Sequence, residues 1–111
     1  MNIMAKQKIK VIIKRPEEEY GHVAYIFNTL ESLQAKVGGH IEAFRLTPKV
    51  VIICNEEGKL KDMEPNLRIA GETLVGPIIV AGIDGENFGS IPFSYETWAQ
   101  TVELDQWGKA K

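Results

Sequence analysis

Cysteine is almost missing from this chain: Cys54 is the only one in 111 residues. An intramolecular disulfide is therefore excluded, which fits a reducing compartment. No stretch approaches the roughly 18 consecutive apolar residues of a membrane span. Residues 1–6 lack the apolar segment of a signal peptide. The expectation is a soluble, cytoplasmic protein. Histidine is scarce as well, at His22 and His40, and no paired C-x-x-C or H-x-x-x-H spacing occurs. A metal centre is not expected on that basis. There is no G-x-G-x-x-G following a strand and no Walker A loop. The glycines at 82, 85 and 89 read as turn residues. No bound cofactor is expected. Nor is there an excess of either charge: 13 Lys and Arg face 15 Asp and Glu, for a net charge of −2. A nonspecific nucleic-acid binder normally carries a basic surplus, and an imitation of DNA would need a large acidic one. By overall charge, nucleic acid is an unexpected partner.

What is present is a foldable amount of apolar sequence, 44% of residues, in a length typical of one domain spanning 1–111. Ile9, Val11 and Ile13 alternate with Lys8, Lys10 and Lys14, the period of a half-buried strand. Residues 22–27 read as the returning strand of a hairpin. Asn28, with Glu31 three residues on, reads as a helix N-cap and capping box. Leu30, Leu33 and Val37 share a helical face, and Gly38 and Gly39 stop the helix. Residues 40–46 form a strand whose apolar face switches sides, pointing to a bulge or to burial on both sides. The unbroken run 50–54 reads as a strand covered on both faces. The segment 55–58 is a turn in which Gly58 is expected to supply a positive φ. Residues 61–72 are polar and read as a loop with at most one helical turn. Residues 75–83 form the last major strand, with Pro77 placing its start at an edge or bulge. Ser94 caps a helix from 95 to about 106, with Tyr95, Trp98, Ala99 and Val102 on its inner face. Leu104 and Trp107 point away from that stripe and are candidates for a partner surface. The whole predicts an α+β fold, a mostly antiparallel sheet of about five strands packed against one or two helices.

Candidate chemistry is thin. Cys54 ends a buried strand and reads as a small core residue rather than a nucleophile. Glu56 and Glu57 are adjacent, so on an extended chain they diverge. Glu42 and Glu56 would converge only if their strands are neighbours. The more suggestive group is polar and guanidinium-bearing. Arg68 and Arg45 are two of only three arginines, and guanidinium suits bidentate capture of phosphate or carboxylate. With Asn55 and Asn66 reading a ligand's edges and Tyr25 or Phe88 as a stacking wall, these residues would hold a nucleotide-like ligand. The competing reading pairs Arg68 with Glu56, Glu57 or Glu64 at the surface.

The segments Val37-Gly-Gly-His-Ile-Glu42, Ile53-Cys-Asn-Glu-Glu-Gly-Lys-Leu60, Asn66-Leu-Arg68 and Val75-Gly-Pro-Ile-Ile-Val80 also carry a resemblance. Over about residues 8–84 the chain resembles the family called domain of unknown function 3846, found in phages, plasmids and conjugative elements of Gram-positive bacteria. The resemblance implies no catalytic residues. It does imply a setting, since small accessory proteins of mobile elements often counter host defence. The expectation is a non-enzymatic binding protein that sequesters a small nucleotide-derived signal, with its site completed between subunits of a homo-oligomer. A protein–protein inhibitor of a host defence complex, anchored by Leu104 and Trp107, is the rival. A small nucleotide-modifying enzyme using Glu56 or Cys54 ranks last.

Overall fold

The apolar alternation at the start of the chain forms the expected hairpin, β1 (Lys8–Lys14) against β2 (His22–Phe27). A computed structural model describes residues 7–110, with side chains through residue 104. Helix α1 (Leu30–Val37) follows, and Gly38 closes it in the left-handed conformation at φ 85°. Its N-cap is Thr29, whose hydroxyl accepts from the Ser32 amide, and not Asn28. The Asn28 side chain is drawn away to donate to the Phe88 carbonyl at 2.9 Å, so the capping box with Glu31 does not form.

β3 (Ile41–Thr47) and β4 (Val50–Asn55) pair antiparallel, with the register broken between Arg45 and Thr47. The apolar face changes along β3 before that bulge, because both sides of the strand are covered: Ile41 packs against one core, Phe44 and Leu46 against another. β4 is buried at every position. The polar stretch after it is not a loop. It contains β5 (Pro65–Ile69) and, after a two-residue turn, β6 (Glu72–Val75), which form a separate two-stranded sheet. Ala70 and Gly71, at φ 50° and 81°, make the tight hairpin connection whose twist suits adjoining strands. The strand expected from residue 75 therefore begins later. Val75 closes β6, Gly76 and Pro77 connect, and β7 (Ile78–Asp84) runs through the middle of the main sheet rather than at an edge. β8 (Asn87–Gly89) folds back on β7. Helix α2 (Tyr95–Ala110) ends the chain, with Ser94 Oγ accepting from the Thr97 amide at 3.1 Å.

The main sheet thus has six strands, ordered β2-β1-β7-β4-β3 with β8 beside β7, and its pairings are all antiparallel. The α+β expectation holds, with one more strand in the sheet and a second sheet besides. Alternation along β1, β4 and β7 sends side chains to two cores. On the first face Ile12, Ile52, Ile78 and Val80 meet Leu67 and Ile69 of β5, Leu74 of β6, and Trp98 and Val102 of α2. On the second, Val11, Val51, Ile53 and Ile79 meet Leu33 and Val37 of α1. Covering both faces buries β4 and β7, which is why they read as continuous apolar runs.

The signature segments interlock around Asn55. Its amide donates to Val37 O at the end of α1, and its Oδ1 accepts from the Glu57 amide at 2.7 Å. A Cβ on Gly39 would stand 2.9 Å from Asn55 Nδ2. Gly58 does not have the expected positive φ. It is glycine for space, since a Cβ there would lie 2.8 Å from Val75.

Candidate functional site

Among the described residues, two open clefts beside β3 lie on opposite faces of the sheet and gather polar side chains. The larger, about 370 Å³, lies on the first face between the β3–β4 end and β6. Glu42 pairs with Cys54 across the strands, and the Glu56 amide binds His40 O, so Glu42 and Glu56 do converge on this cleft. Glu72 joins them from β6, against Lys59 as the cation in the lining. Phe44 and Leu74 supply apolar wall. The Cys54 thiol is pushed up by burial and then by Glu42, with Lys59 opposing. It is neutral at physiological pH and, with no histidine in the lining, has no base to activate it. Three carboxylates make a poor seat for a phosphate.

The smaller cleft, about 250 Å³, lies on the second face, where β3, β4, β7 and the β7–β8 turn meet. Its floor is apolar, from Ala43, Val51 and Ile83. Arg45 stands on one side and Phe88 on the other, with Glu86 and Asn87 on the turn. Regular alternation after Ala43 puts Arg45, opposite Val51, on this face, and Arg45 Nη1 donates to Pro48 O at 3.3 Å. Phe88 packs its ring partly into the second core while its carbonyl is held by Asn28. A guanidinium, an aromatic edge and a greasy floor can hold a planar group bearing an anionic arm.

The other residues singled out from the sequence are not gathered here. Asn55 lines the larger cleft, but its side chain is 4% exposed and bonded to Val37 and Glu57. Asn66 is likewise spent on the fold. Its amide donates to Lys14 O and Gly76 O, both at 2.8 Å, and its Oδ1 accepts from Lys14 Nζ at 2.8 Å. Arg68 is exposed on β5 between the buried Leu67 and Ile69, and lines neither cleft. Tyr25 is 62% exposed on β2, at the opposite edge of the sheet from β3. Leu104 is 72% exposed, on the outer side of α2 from Trp98 and Val102. The side chain of Trp107 lies outside the described residues. Sequence reasoning missed Lys14, 2% exposed and reaching Asn66 across 52 positions. Its place in an alternating Lys-Ile strand looked like a solvated face. The Leu67-x-Ile69 alternation followed by Ala70-Gly71 was the available signal for the β5–β6 cover.

Among the described residues no group of three or more His, Cys, Asp and Glu is placed to hold a metal ion. No described helix is long and apolar enough to cross a membrane.

A family model described as Domain of unknown function (DUF3846) matches residues 9–102. No curated protein and no solved structure matches the chain.

Proposed function

The chain belongs to the family described as Domain of unknown function (DUF3846), and from that premise we propose that it is a binding protein which holds a small nucleotide-derived ligand without turning it over. The observation that carries this reading is the smaller cleft, lined by Arg45 from β3 and Phe88 from β8 with Ala43, Val51 and Ile83 between them. Phe88 would offer a stacking surface to a base, and Arg45 a fork to a phosphate. Nothing in the lining is a paired acid and base, which suits retention better than turnover. In the setting suggested by the resemblance, the ligand would be a signal of a host defence system, captured in the cytoplasm by a phage or mobile-element protein. β3 is an open edge of the sheet, so a second copy pairing there would wall the cleft and deepen it.

The test is a thermal-shift screen against linear and cyclic nucleotides and ADP-ribose derivatives, with mass spectrometry of the recovered ligand. Binding to the native state raises Tm by mass action. A shift that Arg45→Ala or Phe88→Ala abolishes, with ligand recovered intact, supports sequestration. An altered ligand makes the protein an enzyme. No shift across the panel turns the reading to a protein–protein inhibitor. The observation favouring that second reading is Leu104, whose 72% exposure on α2 is the signature of an unburied anchor. A pull-down whose partner is lost on Leu104→Ala would support it.

A further inference from the structure

β3 is an end strand of the main sheet, and among the described residues nothing pairs with its outer side. The ladder to β4 decides which backbone groups point outward. Glu56 N donates to His40 O, so in the same register Glu42 and Phe44 exchange bonds with Cys54 and Ile52. The N–H and C=O groups of Ile41, Ala43 and Arg45 therefore face away from the sheet. Gln7, where the described chain begins, is bonded to Asn28 beside β2, at the opposite edge. The elements packed most closely against β3 are β4 and α1, while α2 lies on β5. The side chains along this edge carry a charge pattern. On the first face Glu42 and, two residues on, Phe44 line the larger cleft, which Glu56 and Glu72 line as well. Among the described residues none of these three carboxylates is in an ion pair. On the second face stands Arg45, beside the smaller cleft.

Charges on an edge strand ordinarily keep it from pairing with its like. Glu42 and Arg45 do that here. They project from opposite faces, so antiparallel pairing of two β3 strands never sets one against the other, and β3 of a second copy brings no lysine or arginine to Glu42. We propose that this edge receives an extended segment of a partner protein as an added antiparallel strand, one that reads acidic-apolar-x-basic along its sequence. Its acidic residue lies opposite Arg45, its apolar residue opposite Phe44, and its lysine or arginine opposite Glu42. Glu42 and Phe44 spend their own backbone bonds on β4. The outer pairs at these two positions are therefore of the non-hydrogen-bonded kind, with Cα atoms about 4.5 Å apart and side chains in close contact. From there a basic side chain leans into the larger cleft, toward Glu56 and Glu72. Main-chain bonds to Ile41, Ala43 and Arg45 hold the strand, and its alternate side chains select it. The proposal is independent of the nucleotide reading, although any strand on this edge also walls the Arg45 cleft.

Amide hydrogen exchange followed by NMR tests it. The probe is a synthetic peptide of alternating threonine and valine that carries glutamate, valine, threonine and lysine, in that order, at its centre. In the free protein the amides of Ile41, Ala43 and Arg45 should exchange fast and those of Glu42 and Phe44 slowly. Saturating peptide should protect the first three. Glu42→Lys should weaken the peptide, read by fluorescence anisotropy, about two- to thirtyfold, because a favourable cross-strand pair becomes a like-charge one. A peptide with glutamate in place of its lysine should recover the loss. Ala43→Pro removes an outward donor, which edge strands tolerate, and should remove most of the binding. Circular dichroism melting checks that both variants stay folded. Three results would overturn the proposal: outward amides already protected in the free protein, exchange that the peptide leaves unchanged, or equal binding of the lysine and glutamate peptides to the native protein. In the first case, protection that is lost on dilution would assign the edge to a second copy instead. A mononucleotide shift lost in Arg45→Ala but kept in Glu42→Lys leaves the cleft reading standing whichever way this test falls.

Discussion

Replacing Asn66 with alanine should unfasten the β5–β6 cover from the main sheet. The Asn66 side chain makes three bonds at 2.8 Å: it donates to the carbonyls of Lys14 and Gly76 and accepts from Lys14 Nζ. Two neutral bonds at about 1 kcal/mol and one from an ammonium at about 1.5–3 kcal/mol sum to about 3.5–5 kcal/mol. A domain of this size has roughly 5–15 kcal/mol of stability in all, so the variant should be marginal. Urea unfolding followed by tryptophan fluorescence would measure it. With a slope near 2 kcal/mol/M, the midpoint should fall by about 2 M. Lys14→Met provides the control, because it removes the buried ammonium that Asn66 serves. In that background Asn66→Ala should cost only about 2 kcal/mol, a coupling of about 1.5–3 kcal/mol between the two positions. A midpoint loss below about 0.5 M at unchanged slope, or strict additivity of the two substitutions, would refute the assignment of Asn66 as the fastener.

Three further outcomes follow from the same cores. Burial holds the Lys14 ammonium below its ordinary 10.5, against the pull of Glu18 and Glu17. The unfolded chain therefore binds more protons between the lowered value and 10.5, and stability rises with pH through that window. Wild type should gain on Lys14→Met as pH climbs toward 10.5; a flat difference in denaturation midpoints would contradict this. Asn55→Ala should lose about 1.5–3 kcal/mol in the same urea assay, since it abandons Val37 O and the Glu57 amide inside the protein. The Cys54 thiol, 8% exposed and raised in pKa, should react with an aromatic disulfide far more slowly in native protein than in urea; equal rates would show that the larger cleft opens freely.

Periodicity and punctuation carried most of the fold. Alternation in β1 and β2, the solid apolar run of β4, the Gly38 stop and the Ser94 cap are local features, and each depends on side chains only a few residues apart. The α+β class followed from them. The second sheet did not, because Pro65, Asn66, Arg68 and Glu72 look like loop composition until Leu67, Ile69 and Leu74 are seen to bury against Ile12 and Trp98. Asn28 would cap α1 by local rules, yet the Phe88 carbonyl, 60 positions away, claims its amide. The candidate site divides in the same way. The sequence identified which residues had useful chemistry, since a guanidinium or an aromatic ring is legible wherever it stands. Only the tertiary structure decided which of them meet: Arg45 with Phe88 in a cleft, Asn55 and Asn66 taken up by backbone groups, Tyr25 beside lysines on another face. Strand order brings distant segments to one surface, and a sheet whose central strands pair with segments far away in sequence makes that choice only when it closes.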